Sequence, residues 1–323
     1  MRRDALHPTD PWRYLAARFA VAGLGLFTVV TVCFAAIRLG PNEPAALVAG
    51  PGLPPVPLPE IRAELGTNAP LGEQYVRYVG DLLALEFGRT WVLGPEFPSP
   101  ARPLLVEAAP FTLAVAVGVL CLVTAVAVPV GLAAGHLDGR RGTGVEALAT
   151  LGRAVPNFWL ALVLVALLGA SRVTSTRALL LLSVVAVAAT LVASRVRTVS
   201  RAVREARQDG HVDAARAKGL SRSTVFWRHL APVALLAHLR RIADDVTYVA
   251  GAVVVVETVV LIRSDVTDAG LGDLFFQAAV QGDLPLAATL VVLFTAAVVA
   301  VRLLGDLVLA LVDPRVGSRA GRH

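Results

Sequence analysis

The chain alternates long apolar stretches with shorter polar ones along most of its 323 residues. A helix that crosses a bilayer needs about 20 mostly apolar residues, and six stretches reach or approach that length. They span residues 19–37, 111–134, 147–170, 178–193, 242–262 and 286–312. The third and fourth are the least regular, because Arg153 and Pro156 interrupt the third and only a short connection separates the two. The pattern predicts an all-α, polytopic membrane protein with six transmembrane helices.

Composition agrees with a membrane protein, since 56% of the residues are hydrophobic and 17% are charged, whereas soluble domains have about 45–50% apolar and about 25% charged residues. The net charge of +6 could suggest a nucleic-acid partner, but the positive residues flank the apolar stretches, so membrane topology explains them. Cys33 and Cys121 each lie inside an apolar run without CxxC spacing, and we interpret them as packing residues. The first apolar run is long enough to span and no small-residue cleavage site follows it, which predicts a retained helix.

Arginine distribution predicts the orientation. Arginines concentrate in the N-terminal segment, after the second span, after the fourth span and in the C-terminal tail, whereas the other loops are neutral or acidic. Both termini are therefore expected in the cytoplasm. The resulting layout is a cytoplasmic segment 1–18, a first helix 19–37, an extracytoplasmic loop 38–107, a five-helix core 108–312 that includes a cytoplasmic loop 196–240, and a cytoplasmic tail 313–323.

The outer loop has two parts. Its proline-rich stretch at residues 51–59 resists regular structure, because proline fixes φ and lacks a donor. A helical pattern follows over residues 73–88, in which Tyr75, Val79, Leu82 and Leu83 share one face. This helix is expected either to lie along the outer membrane surface or to cap the bundle.

The cytoplasmic loop carries strong local signals. Residues 199–218 are rich in alanine and arginine without proline, which favours a helix. Gly219 stands where a left-handed cap would end that helix, and Ser221 is placed to cap a second, short helix. Pro232 limits how the second helix continues. The pattern predicts two helices joined at a glycine corner.

Side chains in this loop suggest a docking surface. Small residues would let another surface approach, and apolar residues would anchor it. The small ones are Ala214, Ala215 and Ala217, and the apolar ones are Val225, Phe226, Trp227 and Leu230. The alternative is a loop whose charges only fix topology, with an amphipathic helix lying on anionic lipid.

Sequence motifs extend the interpretation. Asp213-Ala214-Ala215, followed after three residues by Gly219, resembles the EAA loop of binding-protein-dependent ABC transporter permeases. The run ARAKGLS at 215–221, together with Arg228-His229, is similar to the oligopeptide and dipeptide branch of that family. Further matches follow in family order: Leu65-Gly66, Gln74-Tyr75, Pro110, Pro129, Pro156-x-Phe158-Trp159, Glu257, Gly270-Leu271-Gly272, Asp283-x-Pro285 and Asp313-Pro314-Arg315. The resemblance covers almost the whole chain.

The resemblance implies a type I ABC importer permease fold and a coupling helix that docks on a cytoplasmic ATPase. The ATPase-coupling residues it implies are Asp213, Ala214, Ala215, Arg216, Lys218, Gly219, Ser221, Phe226 and Pro232. The implied partners are a second homologous permease, two ATPase subunits and an extracytoplasmic substrate-binding protein. No cofactor is expected in this chain, since ATP and Mg²⁺ belong to the partner subunits. The substrate would be a peptide or, alternatively, nickel or another small solute.

Enzyme classes find no support in the motifs. Lys218 is the sole lysine and does not stand in a G-x-x-x-x-G-K-[ST] loop, so the chain cannot carry its own P-loop ATPase. No HExxH, nucleophile elbow, catalytic constellation or metal-ligating cluster occurs in the sequence. A self-sufficient secondary transporter remains a rival, but its paired broken helices are not evident.

Charged groups in or near the spans are expected to be paired or functional. Arg302 and Asp306 are i, i+4 neighbours, which favours a local ion pair. Glu257 lacks an obvious local partner and is expected near the outer end of its span, toward the pore or a subunit interface. Asp244 and Asp245 lie close to Arg240 and Arg241 at the inner surface. The candidate pore or gate residues are Glu257, Gly251, Pro156 and Trp159.

Overall fold

The computed structural model describes residues 11–39, 68–90, 99–137, 144, 147, 152, 154–168, 175–261 and 270–312. In chain order the elements are α1 (Pro11–Leu39), α2 (Leu71–Leu83), β1 (Arg89–Thr90), β2 (Ser99–Pro100), α3 (Ala101–His136), α4 (Asn157–Leu168), α5 (Thr176–Arg207), α6 (Gly210–Ala217), α7 (Arg222–Val225), α8 (Ala231–Leu239), α9 (Ile242–Leu261), α10 (Leu271–Gln281) and α11 (Leu284–Val312). A π-helical turn, Phe226–Leu230, joins α7 to α8. The all-α fold class is confirmed.

Four of the described helices are long and apolar enough to cross a membrane. They cover Leu15–Leu39, Ala101–His136, Thr176–Arg207 and Leu284–Val308. These ranges contain the predicted first, second and fourth spans and most of the sixth. Helix α9 coincides with the predicted fifth span, although it also carries three carboxylates. The predicted count of six is thus met only in part.

The predicted third span is not a continuous helix, and its break lies at Pro156, one of the two residues expected to interrupt it. Val155 forms a bend and Pro156 is not helical, so α4 starts at Asn157 and runs for 12 residues. Proline lacks an N–H and its ring clashes with the carbonyl four residues earlier, which explains the break. The Oδ1 atom of Asn157 accepts a hydrogen bond from the N–H of Phe158 at 2.8 Å. Helix α3, by contrast, continues through Pro110 and Pro129.

The chain divides into two compact units. One comprises Met1–Ala109 with Leu274–His323, and the other comprises Pro110–Asp273. In the first unit α1 packs against α11, through Cys33, Ile37, Ala288 and Val292. The short ladder of this unit pairs Arg89 with Pro100 and Thr90 with Ser99, antiparallel.

Helix α2 packs on the first unit through Tyr75 and Leu82 of the predicted apolar face and through Tyr78. Tyr78 and Leu82 lie against the α1–α11 cluster, and the Tyr75 hydroxyl is 2.8 Å from Thr31 Oγ1. Leu83 is 81% exposed, so it does not pack on this unit. The helix also ends at Leu83 rather than at residue 88. The proline-rich stretch 51–59 lies outside the described residues.

A charged pair connects the N-terminal half of α1 with α11. Arg18 Nε lies 3.3 Å from Asp306 Oδ2 of α11. Asp306 therefore has a partner on another helix, beyond the predicted local pairing with Arg302. A carboxylate in an apolar helix is expected to be paired in this way.

Helix α5 is the centre of the second unit. Its apolar stretch is 61% buried, against 17–28% for the other three long helices. Valine, alanine and leucine side chains from α3, α4, α5 and α9 form the main cluster around it. Ser175 caps its start by accepting a hydrogen bond from the N–H of Ala178 at 3.3 Å. The helix continues 14 residues past the predicted end at residue 193, because nothing between that residue and Arg207 breaks a helix.

Candidate functional site

The predicted helix–corner–helix lies on the second unit over residues 210–239, which we call the corner segment. The helix predicted over residues 199–218 is not continuous: α5 ends at Arg207, Asp209 is extended and α6 begins at Gly210. Glycine is a poor helix former, which accounts for a break at this point. The chain therefore changes direction before α6 as well as after it.

Gly219 forms the corner as predicted. Its φ is +79°, in the left-handed region, where residues with a side chain are strained. The N–H of Leu220 donates to the carbonyl of Ala215 at 3.3 Å, and the N–H of Gly219 donates to that of Arg216 at 3.0 Å. These two bonds form a Schellman motif, which satisfies the last carbonyls of α6. A Cβ added at Gly219 would meet nothing within 4 Å, so only the backbone conformation requires glycine here.

Ser221 and Pro232 shape the second half of the corner segment. Ser221 Oγ accepts a hydrogen bond from the N–H of Thr224 at 3.2 Å and caps α7, as predicted. Pro232 has no N–H to give to the carbonyl of Arg228, and the preceding turn widens so that Ala231 donates to Phe226. This π-helical turn lets the chain continue into α8 past the proline.

One face of the corner segment packs on α5. The buried side chains beneath it form a single apolar cluster. Its members are Leu132, Val199, Val203, Ala206, Val212, Ala215, Val225, Leu230 and Ala234. The expectation that Ala215, Val225 and Leu230 face a partner was therefore wrong, because at most 4% of each is exposed. Phe226 is half-buried and meets His136 edge-on, with ring centroids 6.0 Å apart.

The other face of the corner segment is open. Of the predicted coupling residues, seven are exposed: Asp213, Ala214, Arg216, Lys218, Gly219, Ser221 and Pro232. Trp227 is 67% exposed and Leu220 is 40% exposed. Leu220 was not predicted, although its position directly after the glycine corner is the signal that could have found it. Asp213 and Arg216 are 3.3 Å apart on the surface, a pair that contributes little stability.

Glycines hold α3 close to α5. A Cβ at Gly131 would lie 2.6 Å from Val199 Cβ, and one at Gly135 would lie 2.6 Å from Val203 Cβ. The two glycines are four residues apart, which is the spacing of closely packed membrane helices. Arg207 Nη1 adds hydrogen bonds to the last α3 carbonyls, at 3.2 Å to Gly135 and 3.0 Å to His136. Sequence reasoning missed this pair, although the G-x-x-x-G spacing was visible.

A buried ion pair connects α5 to α9. Arg195 Nε donates to both carboxylate oxygens of Asp245 at 2.9 and 2.7 Å, and its Nη2 donates to the carbonyl of Arg241 at 3.3 Å. Only 8% and 1% of the two side chains are exposed. Asp244 instead meets Arg241 on the surface at 3.2 Å. Asp244 therefore lies beside Arg241 on the surface, as predicted, whereas Asp245 is buried against Arg195.

Glu257 is held inside the second unit. Its Oε2 accepts hydrogen bonds from Thr112 Oγ1 at 3.1 Å and from the N–H of Gly272 at 2.9 Å. The N–H of Leu271 donates to the same Thr112 hydroxyl at 2.7 Å. A Cβ at Gly270 would clash with Oε2 of Glu257. Gly270 and Gly272 therefore allow the backbone to approach the Glu257 carboxylate. The hydrogen bonds of this carboxylate connect α9 with α3 and with the start of α10.

The predicted pore candidates differ in exposure. Glu257 is 0% exposed, and its expected position toward the pore or a subunit interface stays a prediction. Gly251 is exposed on α9 with nothing within 4 Å of an added Cβ. Pro156 is exposed, and Trp159, at the start of α4, is 53% exposed. A pore role for these three stays a prediction. Among the described residues, no three His, Cys, Asp or Glu side chains group as metal ligands.

Comparison with known proteins covers nearly the whole chain. The family described as "Binding-protein-dependent transport system inner membrane component" matches residues 127–318, and the N-terminal part of such membrane components matches residues 12–95. A probable peptide ABC transporter permease protein of Sinorhizobium fredii is 30% identical over 322 residues, 94% of this chain and 97% of that protein. A putative peptide transport system permease protein of Brucella abortus is 29% identical over 306 residues, 90% and 94%. The oligopeptide transport system permease protein OppB of Salmonella typhimurium is 27% identical over 308 residues, 90% and 94%.

Proposed function

The chain belongs to the binding-protein-dependent transport system inner membrane components, and on that premise we propose that it is the permease subunit of an ATP-driven peptide importer. The observation that carries the proposal is the corner segment, which is anchored on α5 by one face and open on the other. An exposed aromatic side chain beside cationic and small residues is suited to hold a protein partner. Trp227, Lys218 and Ala214 supply these features.

The family is a transport family and gives the chain no catalytic task. Transport dependent on a binding protein implies an extracytoplasmic substrate-binding partner and an ATPase. We propose in addition that a second homologous permease completes the pore and that two ATPase subunits bind at the cytoplasmic face. In this arrangement both termini are cytoplasmic. The chain itself binds no cofactor, and ATP and Mg²⁺ are held by the ATPase subunits.

Helix packing supports a mechanical route from the ATPase to the membrane. Movement of the corner segment acts on α5, because Val212, Ala215 and Leu230 share a cluster with α5 residues. Helix α5 in turn packs against α3, α4 and α9 through the main apolar core. Packed helices move as rigid elements. ATP-driven closure of the ATPase pair would therefore tilt this unit and open the pore alternately to each side.

Peptides are the proposed substrate because the three relatives compared above are named for peptide or oligopeptide transport. None of these three is named for nickel or for ion-driven transport. The charged termini of a peptide need polar partners along the path, which would come from the assembled pore. Ligand identification on the binding protein would define the substrate directly.

Substitutions at Gly219 test the proposal. Gly219→Val forces a β-branched residue to a positive φ, which costs on the order of 1–3 kcal/mol, while the open space around it avoids a steric clash. Gly219→Asn is the matched control, because asparagine tolerates this conformation. In proteoliposomes with binding protein and ATPase subunits, we expect the valine variant to insert normally but to lose peptide uptake and peptide-stimulated ATP hydrolysis. The asparagine variant should keep most of both.

Two results would contradict the proposed function. Uptake by the valine variant at the control rate would show that the corner does not couple the subunits. Peptide uptake by the isolated chain, without ATPase subunits, would favour the self-sufficient secondary transporter.

A further inference from the structure

Side chains of two other helices hold the start of α10. The first N–H groups of a helix have no partner within that helix. In α10 the N–H of Gly272 donates to Glu257 Oε2 of α9 at 2.9 Å, and the N–H of Leu271 donates to Thr112 Oγ1 of α3 at 2.7 Å. Thr112 Oγ1 in turn donates to the same Oε2 at 3.1 Å. We call these four residues the Glu257 junction.

The Thr112 hydroxyl is used twice in this junction. A hydroxyl has one hydrogen to donate, and the hydrogen of Thr112 goes to the Glu257 carboxylate. The hydroxyl oxygen accepts from the N–H of Leu271. Only 6% of Thr112 and 0% of Glu257 are exposed, so water does not replace these bonds when one of them is lost. A hydroxyl at position 112 is therefore needed to complete the junction.

The chain enters and leaves the second unit beside the Glu257 junction. The unit begins at Pro110 and ends at Asp273. Thr112 stands two residues after the first of these positions, and Gly272 stands one residue before the second. One hydrogen-bonded group therefore ties both ends of this unit's chain to α9.

Helix α9 is also held at a second level, by another buried carboxylate. Asp245 pairs with Arg195 of α5, and Arg195 Nη2 donates to the carbonyl of Arg241, close to the end of the corner segment. Glu257 stands twelve residues further along α9, which is about 18 Å at 1.5 Å per residue. Helix α9 therefore connects the level at which the corner segment ends with the start of α10.

We propose that Glu257 is a positioning residue for transport, whose hydrogen bonds make the start of α10 move together with α9 and α3. This role rests on the proposed function, in which ATPase subunits displace the corner segment. Packed helices transmit such a displacement as rigid elements, and Asp245 passes it from α5 to α9. The Glu257 junction then passes it to α10, so that the two ends of the unit move in step.

Hydrogen exchange of the Leu271 and Gly272 amides in the assembled transporter measures whether the junction is closed. Thr112→Val removes the hydroxyl and keeps nearly the same side-chain shape. A hydrogen bond to a charged group favours the closed state roughly 10- to 100-fold, so we expect both amides to exchange at least about tenfold faster in this variant. Thr258→Val is the matched control, because that hydroxyl donates to the Val254 carbonyl of its own helix at 2.8 Å. Its exchange at both amides should match the wild type.

Peptide uptake per ATP hydrolysed measures the role in transport. The assay uses proteoliposomes with binding protein and ATPase subunits, at a temperature where each variant stays folded. A defect in folding or assembly lowers uptake and hydrolysis together and leaves their ratio unchanged. We expect Thr112→Val to lose most of this ratio and Thr258→Val to keep it. Thr112→Ser keeps the hydroxyl and Glu257→Gln keeps an accepting oxygen, so both should retain most of the ratio.

The outcomes separate this role from the proposed function. Normal uptake by the wild type with equal ratios in Thr112→Val and Thr258→Val would overturn the role alone. Absence of ATP-driven uptake in the wild type would contradict the proposed function and this role with it. Loss of the ratio in Glu257→Gln, with retention in Thr112→Ser, would assign the effect to the charge of Glu257 and overturn the positioning role. Unchanged exchange of both amides in Thr112→Val would also overturn it, and that measurement does not depend on transport.

Discussion

Replacing Gly272 with alanine should loosen the junction between α9 and α10. The added Cβ would lie 2.6 Å from Val254 Cα, 2.8 Å from Glu257 Oε2 and 3.2 Å from Val253 O. Two of these three atoms belong to the α9 backbone, which cannot move without disturbing the helix. The start of α10 must therefore shift, and the hydrogen bond from the N–H of Gly272 to Glu257 is lost or lengthened.

The magnitude follows from two contributions. Overpacking costs about 1–3 kcal/mol, and the loss of a hydrogen bond to a buried acceptor costs about 1–3 kcal/mol. The two overlap, because the same shift relieves the clash and breaks the bond, so we expect a loss of about 2–5 kcal/mol. For a unit of this size, Tm falls by about 2–4 °C per kcal/mol. The expected decrease is on the order of 5–15 °C.

Thermal unfolding of the purified protein in nanodiscs, followed by tryptophan fluorescence, measures this change. Gly251→Ala is the matched control on α9, because an added Cβ there meets nothing within 4 Å. Replacing a helical glycine by alanine should stabilise that variant by up to about 1 kcal/mol. The reasoning is refuted if Gly272→Ala and Gly251→Ala unfold at the same temperature.

Three further tests concern the second unit. Gly135→Ala should lower Tm, because the new Cβ would lie 2.6 Å from a valine Cβ of α5; an unchanged Tm would show that the helices separate freely. Asp245→Asn leaves the buried Arg195 charge unpaired and should cost about 3–5 kcal/mol, whereas Asp244→Asn breaks only an exposed pair and should cost less than about 1 kcal/mol. Burial lowers the pKa of His238, with Asp245 opposing and Arg195 adding to this effect. Below about pH 6.5, His238 is protonated in the unfolded chain but stays neutral in the native protein. The free energy of unfolding should therefore decrease as the pH drops below about 6.5. His238→Gln should remove that part of the pH dependence, and an identical pH profile in both proteins would contradict the assignment.

Local signals in the chain predicted the corner well. Gly219 and Ser221 act through the backbone of their own neighbourhood, so a single sequence contains the information that defines them. Pro156 was also visible, and its effect on α4 follows from the missing N–H. The apolar runs located α1, α3, α5, α9 and α11 in the same way. These features needed no knowledge of what packs against them.

Packing partners were harder to predict. Ala215 and Val225 were expected to face outward, but α5 continues as a helix past the predicted span end and covers them. Glu257 finds Thr112 145 residues upstream, and helical periodicity does not specify the register between distant helices. Gly131 and Gly135 had a recognisable spacing, whereas their partners on α5 did not. The structure was therefore needed to identify which residues of different helices contact each other.

The central claim is that the open face of the corner segment holds the ATPase. A photo-crosslinking amino acid at Trp227, which is 67% exposed, tests it most directly in membranes that contain the co-expressed ATPase subunits. The same group at Leu83 of α2, which is 81% exposed, serves as the control. We expect a crosslink to the ATPase from position 227 and none from position 83. Equal crosslinking from both positions, or only lipid adducts at 227, would contradict the account.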